Sequence, residues 1–253
     1  MLSRRVVVCL DVADERVVKG VEFESLRDVG DPVEMAMRYE AAGADEIVFL
    51  DISASNEKRG TILDVARRTA EGLFIPLTIG GGIRTAADVG NSLRAGADKV
   101  SINSAAVNNP DVLTESAMRY GAQCVVASID ARREGNGWSV YTHGGRTRTN
   151  LEPVAWAVEC VNRGAGEILL TSIDRDGTRD GYDIELTRRV ADAVPVPVVA
   201  SGGAGSPSDI VEVLKAGHAD AALVAGILHD GQVTVHEIKR QLIEAGLPVR
   251  ITA

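Results

Sequence analysis

The sequence predicts a single (β/α)8 barrel, residues 1–253, built from two repeated half-barrels at about 1–121 and 122–253. Two observations carry that expectation. The first is an internal repeat. Residues 76–103, PLTIGGGIRTAADVGNSLRAGADKVSIN, are matched by residues 197–224, PVVASGGAGSPSDIVEVLKAGHADAALV. A shift of 121 places Pro76 on Pro197, Gly81 on Gly202, Gly82 on Gly203 and Gly96 on Gly217. The same shift places Gly43 on Gly164, Glu46 on Glu167 and Pro32 on Pro153, and VVVCLD at 6–11 echoes VVASID at 125–130 with an offset of 119. The second observation is an alternation of short apolar runs with helical patterns, repeated eight times along the chain. A long-period repeat can also mean a solenoid, but two copies of a four-unit half suit a closed ring. A doubly wound sheet would need a switch point, and an even halving gives no reason for one.

The elements follow in order. Residues 6–10 are a continuous apolar strand ending at Asp11, the pattern of a parallel sheet covered on both faces. Residues 12–30 read as a long polar connection with a small hairpin arm, Val17 and Val18, ending in Lys19. Asp31 and Pro32 open a helix as cap and first-turn proline, and Gly43 closes it. The second strand is 46–50, ending in Asp51 with the polar tail Ser53, Ala54, Ser55, and a helix covers 56–71. The third strand, with Leu77 and Ile79, runs into Gly80, Gly81 and Gly82. Ala87, Val89 and Leu93 mark the next helix, and 100–102 is the fourth strand. Asn109 and Pro110 start another helix.

The second half repeats this plan. Its strands are 123–129, 167–171, 197–200 and 221–225; its helices are 152–164, 184–193, 207–216 and 234–245. Residues 131–150 form the second long connection, in which 138–142 reads as one strand of a hairpin.

The composition is that of a globular enzyme, 45% hydrophobic and 25% charged. Net charge is 27 − 36 = −9, which disfavours sequence-independent nucleic-acid binding. No apolar run approaches the ~20 residues of a membrane span. Asp11 and Asp14 interrupt any signal-peptide pattern at the start. Cys9, Cys124 and Cys160 have no metal or redox spacing, and reduced cysteines in a cytoplasmic protein are the simplest account. The expectation is therefore no metal, no cofactor, no nucleic-acid partner and no membrane.

In such barrels chemistry sits at the C-terminal ends of the strands. Strand 1 ends in Asp11 and strand 5 in Asp130, on opposite sides of the ring. A carboxylate pair across a pocket suits general acid and base work on one substrate; the competing account is that each aspartate caps its own loop. The glycine loops after strands 3 and 7 free backbone N–H groups ahead of helix N-termini, which suits two opposed anion sites and a ligand with phosphate at both ends. Such glycines also occur merely because the chain must bend.

The segments CLDVADERVVKG, FLDISAS, GGGIR, GADKVSIN, SIDRDGT and SGGAG together resemble the cyclase subunits of imidazole glycerol phosphate synthase, from histidine biosynthesis. The resemblance spans essentially the whole chain. It implies a lyase that takes ammonia from a separate glutaminase subunit. Its substrate would be the bisphosphorylated phosphoribulosyl-formimino aminoimidazole carboxamide ribotide, converted to imidazole glycerol phosphate and an aminoimidazole carboxamide ribotide. It implies that Asp11 and Asp130 are the acid–base pair and that Lys19 orders a loop over the substrate. Gly82, Asn103 and Ser104 would match one phosphate site. Thr171, Asp176, Gly177, Gly202, Gly203, Ala225 and Gly226 would form the other side of the pocket.

Arg5, Glu46, Lys99 and Glu167 lie near the N-terminal ends of strands 1, 2, 4 and 6, on the face away from the aspartates. A solvated salt-bridge ring is one account. The resemblance implies another: an ammonia gate on the face where the glutaminase docks, with Asp98 at that interface. His143, His218, His229 and His236 show no ligand spacing. His143 is placed to approach substrate, and Gly144 replaces a small hydroxyl residue that the family often has, a role open to Thr142 or His143. Arg146 and Arg148 read as solvated, and Trp156 as packed under its helix. Two further functions compete: the two-aspartate sister isomerase of the same pathway, and a catalytically idle barrel kept as a binding subunit. The charged gate, RVVKG and SIDRDGT disfavour the first, and retention of both aspartates the second.

Overall fold

The computed structural model describes residues 2–21, 24–52 and 59–251, and the side chains of 2–18, 28–52 and 62–251. Eight parallel strands form the ring: β1 (Arg5–Ala13), β4 (Glu46–Asp51), β5 (Leu77–Gly80), β6 (Lys99–Ile102), β7 (Val125–Glu134), β10 (Glu167–Ser172), β11 (Val198–Ser201) and β12 (Ala221–Val224). β12 pairs back onto β1, with Val8 opposite Val224, so the ring is closed. The wall helices are α1 (Pro32–Ala41), α2 (Arg59–Ala70), α3 (Ala86–Arg94), α5 (Asp111–Tyr120), α6 (Pro153–Asn162), α7 (Ile184–Ala191), α8 (Pro207–Lys215) and α10 (Val235–Glu244). Among the described residues no helix is long and apolar enough to cross a membrane.

The unbroken apolar strands have two faces to fill. In β1, Val6, Val8 and Leu10 pack outward with Met35, Tyr39 and Ile238 under the helices. Val7 and Cys9 point into the barrel with Val48, Val126, Leu169, Val199 and Leu223. The two-residue side-chain period of a strand separates these sets. Trp156 is buried with the outer set, as the sequence implies.

The long connections hold more structure than a polar linker. β1 continues past the ring into the antiparallel strand β2 (Arg16–Val21), which pairs with β3 (Glu24–Gly30). Asp14 and Glu15 turn the chain with φ of 49° and 63°, the two left-handed positions of a tight hairpin turn. β3 was read as connection because its sequence, ESLRDVG, lacks a clean alternation. In the second half, β7 runs on into β8 (Gly137–Thr142), the expected hairpin strand, and β9 (Thr147–Arg148). Ser53, Ala54, Ser55 and the first residues of the expected second helix lie outside the described residues.

Two short helices were not foreseen. α4 (Ser104–Asn108) follows β6, and α9 (Gly226–His229) follows β12. Each is about one turn long, too short for any periodicity to register.

The lower rim is stapled by three aspartates. Asp45 accepts from Val6 N at 2.8 Å, Asp98 from Leu77 N at 2.8 Å and Asp220 from Val198 N at 3.1 Å. Each staples its own strand to the preceding one, because its backbone N–H also donates to the carbonyl of that same Val6, Leu77 or Val198. At the equivalent point between β7 and β10 stands Gly166, where a side chain would run into the Ala122 carbonyl.

Candidate active site

β1 and β7 lie four positions apart in the ring of eight, so Asp11 and Asp130 stand on opposite sides of the upper opening. Both carboxyls are partly buried, and burial pushes each up to about 6. Their remaining surroundings differ. Asp11 is raised further by the Asp176 charge and, among the described residues, meets a weak donor, Cys9 Sγ, at 3.8 Å. Asp130 accepts a 2.8 Å hydrogen bond from Asn103 Nδ2, which opposes its rise. Asp176 also raises Asp130, and its own carboxyl is pushed up by the surrounding chain, offset by the Gly177 N–H. Since Asp176 is exposed as a residue at the mouth, its own shift carries less weight than those of the pair. Two carboxyls titrating near neutrality can hold and release a proton within one pocket.

The glycine turns have defined steric reasons. Gly81 has φ +93°, and a side chain there would strike the backbone carbonyl of Asp51; Gly202 has φ +91° and stands likewise against the Ser172 carbonyl. Both loops therefore pass close over the end of the preceding strand. The helices behind them carry side-chain caps, which occupy part of their N-terminal N–H groups. Thr85 and Asp88 form a capping box on α3, and Ser206 and Asp209 form one on α8. The carboxylate of Asp88 takes the N–H groups of Arg84 and Thr85, and that of Asp209 takes Gly205 and Ser206. Among the described residues, α4 at Asn103, α5 at Pro110 and α9 at Ala225 start with no side-chain cap hydrogen bond, and of these α4 and α9 directly follow the ring strands β6 and β12. Gly82 and Gly203 lie beside these starts in chain order of the ring, one strand before each.

Other expected positions fall around the same opening. Thr171 is paired with Asp130 across β7 and β10, so their side chains emerge on one face. Ser104 Oγ accepts from His143 N at 2.9 Å, which brings the fifth loop onto α4. Thr142 is buried and its hydroxyl meets His143 Nδ1 at 3.0 Å. The backbone of Lys19 lies in β2; its side chain lies outside the described set. His218 is exposed at the end of α8 and bonds Asp192.

At the opposite end of the barrel the four charges close a ring. Arg5 bonds Glu46 at 2.9 Å and also Glu167; Lys99 bonds both acids at 2.7 Å. Glu46 and Glu167 are 3% and 6% exposed, so each buried carboxylate needs both cations. The sequence reading missed Thr78, whose hydroxyl donates to Glu46 at 2.6 Å; a lone threonine in LTIG carries no signal of this. Asp98, expected at an interface, is exposed, yet one of its oxygens is committed to Leu77 N. The reading also gave no role to His229, which joins Tyr39 to the Cys9 carbonyl. Among the described residues no cluster of three or more His, Cys, Asp or Glu side chains is arranged to hold a metal ion.

The chain matches the family model described as histidine biosynthesis protein over residues 5–234. It is 69% identical over 250 residues to the imidazole glycerol phosphate synthase subunit HisF of Myxococcus xanthus, covering 99% of both chains. It is 58% identical to the protein of that name from a Synechococcus strain, over 99% of this chain and all of the relative. The protein of that name from Caulobacter vibrioides is 56% identical, over 100% of this chain and 98% of the relative. Full-length identity at this level, with the closed eight-stranded ring, shows that the chain belongs to the histidine biosynthesis protein family, among its imidazole glycerol phosphate synthase HisF subunits.

Proposed function

We propose that this cyclase subunit closes the imidazole ring at Asp11 and Asp130, using ammonia that enters through the Arg5–Glu46–Lys99–Glu167 ring. The observation that carries the reading is the pair of partly buried carboxyls, on opposite strands, both pushed up to about 6. Ammonia must attack the substrate and lose a proton, and a ring-closing and cleaving sequence must deliver one to the leaving nitrogen. A singly protonated pair performs both tasks without an outside buffer.

The substrate carries a phosphate at each end. The Gly82, Asn103 and Ser104 corner would hold one, and Gly202, Gly203, Ala225 and Gly226 the other, with Thr171, Asp176 and Gly177 along the side between. The starts of α4 and α9, where Asn103 and Ala225 make no side-chain cap hydrogen bond, support that assignment. Lys19, on the β2–β3 arm, would fold over the bound ligand.

A glutaminase subunit would dock on the face that carries Asp98 and the charged ring. Phe74 supports this choice: it is 90% exposed in the connection leading into β5, on that same face. The inward face of β6 reads Lys99, Ser101, Asn103, which leads from the ring to Asp130. Cytoplasmic residence belongs to the same reading, supported by three free cysteines.

The test is turnover of the bisphosphorylated substrate by the isolated chain with ammonium salts, then with glutamine and the glutaminase. Imidazole glycerol phosphate should form in both. Turnover of the isomerase's substrate with no nitrogen donor, or no ammonium-dependent product, would overturn the assignment.

A further inference from the structure

β1 is longer than the strand beside it. The carbonyls of Val6 and Val12 accept from Asp45 N and Ile52 N in or beside β4. Carbonyls alternate in direction along a strand, so that of Cys9 faces the other neighbour, β12. But β12 ends at Val224, opposite Val8, where the chain turns through Ala225 into α9. The next rung of the ladder therefore has no strand to supply it, and Cys9 is buried at 4% exposure. A buried carbonyl in that position needs a donor from elsewhere.

His229 supplies it. Its Nε2 lies 3.0 Å from the Cys9 carbonyl oxygen. A carbonyl can only accept, so Nε2 carries the proton. Its Nδ1 meets the Tyr39 hydroxyl at 2.7 Å. Arg38 Nη2 donates to that same hydroxyl at 3.5 Å, which leaves the tyrosine proton directed at the imidazole. The chain of donors thus runs Arg38, Tyr39, His229 and ends on β1, two residues before Asp11. The ring itself is held in place: Ile227 and Leu228 bury the rest of α9 in the core, and Asp230, which caps the helix, is paired with Arg179.

We propose that His229 is a positioning residue for the acid–base pair: it replaces the missing rung of β12 and thereby fixes the height and direction of Asp11. Counted from the helix starts at Asn103 and Ala225, Val107 stands in α4 where α9 has His229, and Asp130 is held by Asn103 instead. Each aspartate is thus tied to the short helix that follows the neighbouring strand, Asp130 by a side chain directly and Asp11 through its own backbone. The inference rests on Asp11 being catalytic.

The test compares His229→Phe, which keeps the ring and loses both bonds, with His229→Gln, whose amide keeps a donor at the reach of Nε2. Both are assayed with ammonium on the isolated chain, beside Asp11→Asn. Misplacing a reacting group by about 1 Å costs up to ~100-fold, so His229→Phe should lower kcat by about tenfold or more with KM changed less than about threefold. His229→Gln should recover most of the lost kcat. Tyr39→Phe, which leaves the Cys9 bond but frees the ring, should give a smaller loss in the same parameter, and serves if His229→Phe does not fold. Wild-type kcat in His229→Phe, or His229→Gln as impaired as His229→Phe at equal melting temperature, would overturn the proposal. An active Asp11→Asn would instead remove the acid–base reading on which it rests.

Discussion

Asn103 donates to Asp130 at 2.8 Å from the residue that starts α4, and its own carbonyl oxygen, Oδ1, is buried without a hydrogen-bond partner. One side chain thus links β7 to a helix start. The donated N–H favours the ionised form of Asp130 against the burial that raises it. Removing it in Asn103→Ala should move the Asp130 titration further up. The acid limb of the pH–rate profile should then shift to higher pH, with kcat lowered by about 10- to 100-fold at neutral pH. The measurement is ammonium-dependent turnover across pH at constant free ammonia. An unshifted limb would mean that Asn103 serves the ligand and not Asp130.

Asp11→Asn and Asp130→Asn should each cost on the order of 10² to 10⁴ in rate, the range for loss of a general acid or base. Substrate affinity should change much less. Stability should move the other way. A carboxyl whose folded value is raised from 3.8 to about 6 stabilises the fold fully only below pH ~4, and that contribution is lost as pH rises through about 6. A shift of two units corresponds to about 3 kcal/mol per site at most. Each asparagine variant should therefore gain on the wild type between about pH 4 and pH 7, read as a widening difference in denaturant midpoint. A constant difference over that range would mean that neither carboxyl is raised.

The ring order was legible because the repeat is long and because apolar strands covered on both faces leave continuous runs. Asp11 and Asp130 were legible for the same reason: each ends such a run. The four charges at the lower rim could be named, since each sits at the first position of a strand. Their closure through shared bonds could not, because it depends on the tilt and stagger of strands far apart in sequence. The capping boxes at Thr85 and Ser206 were present in the sequence as TAAD and SPSD, and they take part of the N–H groups at the starts of α3 and α8. The short helices α4 and α9, which start without a side-chain cap, span five and four residues and leave no pattern. His229 was invisible as well, for its role follows from where β12 stops.

An anion reading centred on α4 and α9 rather than on α3 and α8 changes which substitutions are informative. Gly203 is a poor probe, because a side chain there would run into the Gly181 carbonyl and disturb the sixth loop. Ala225→Asp is better, since it places a carboxylate at an uncapped helix start. It should keep or raise the melting temperature and raise KM for the bisphosphorylated substrate by about tenfold or more, a cost of roughly 1.4 kcal/mol or more in binding. Unchanged KM in a folded variant would remove α9 from the substrate site. A soak in phosphate should show anions at both α4 and α9; anions at the lower rim alone would count against both.

The lower rim makes the strongest demand on the partner. Lys99 bonds both Glu46 and Glu167, and its removal leaves two buried carboxylates sharing Arg5. Breaking such a pair is destabilising whatever the ring does for function, so turnover with a single nitrogen source cannot separate the two effects. The ratio of glutamine-dependent to ammonium-dependent turnover in one preparation can, because a loss of folded protein cancels. Lys99→Ala should change that ratio, since free ammonia also reaches Asp11 and Asp130 from the open upper face. Asp98 needs a finer pair of variants. Asp98→Ala removes both the charge and the acceptor for Leu77 N, a loss of about 1 kcal/mol or more in stability. Asp98→Asn keeps an acceptor oxygen for that N–H and removes only the charge. If Asp98 meets the glutaminase through its charge, both variants should weaken coupling to glutamine hydrolysis, and only the alanine should lower the melting temperature. Wild-type coupling in Asp98→Asn would confine Asp98 to stapling β5 and β6.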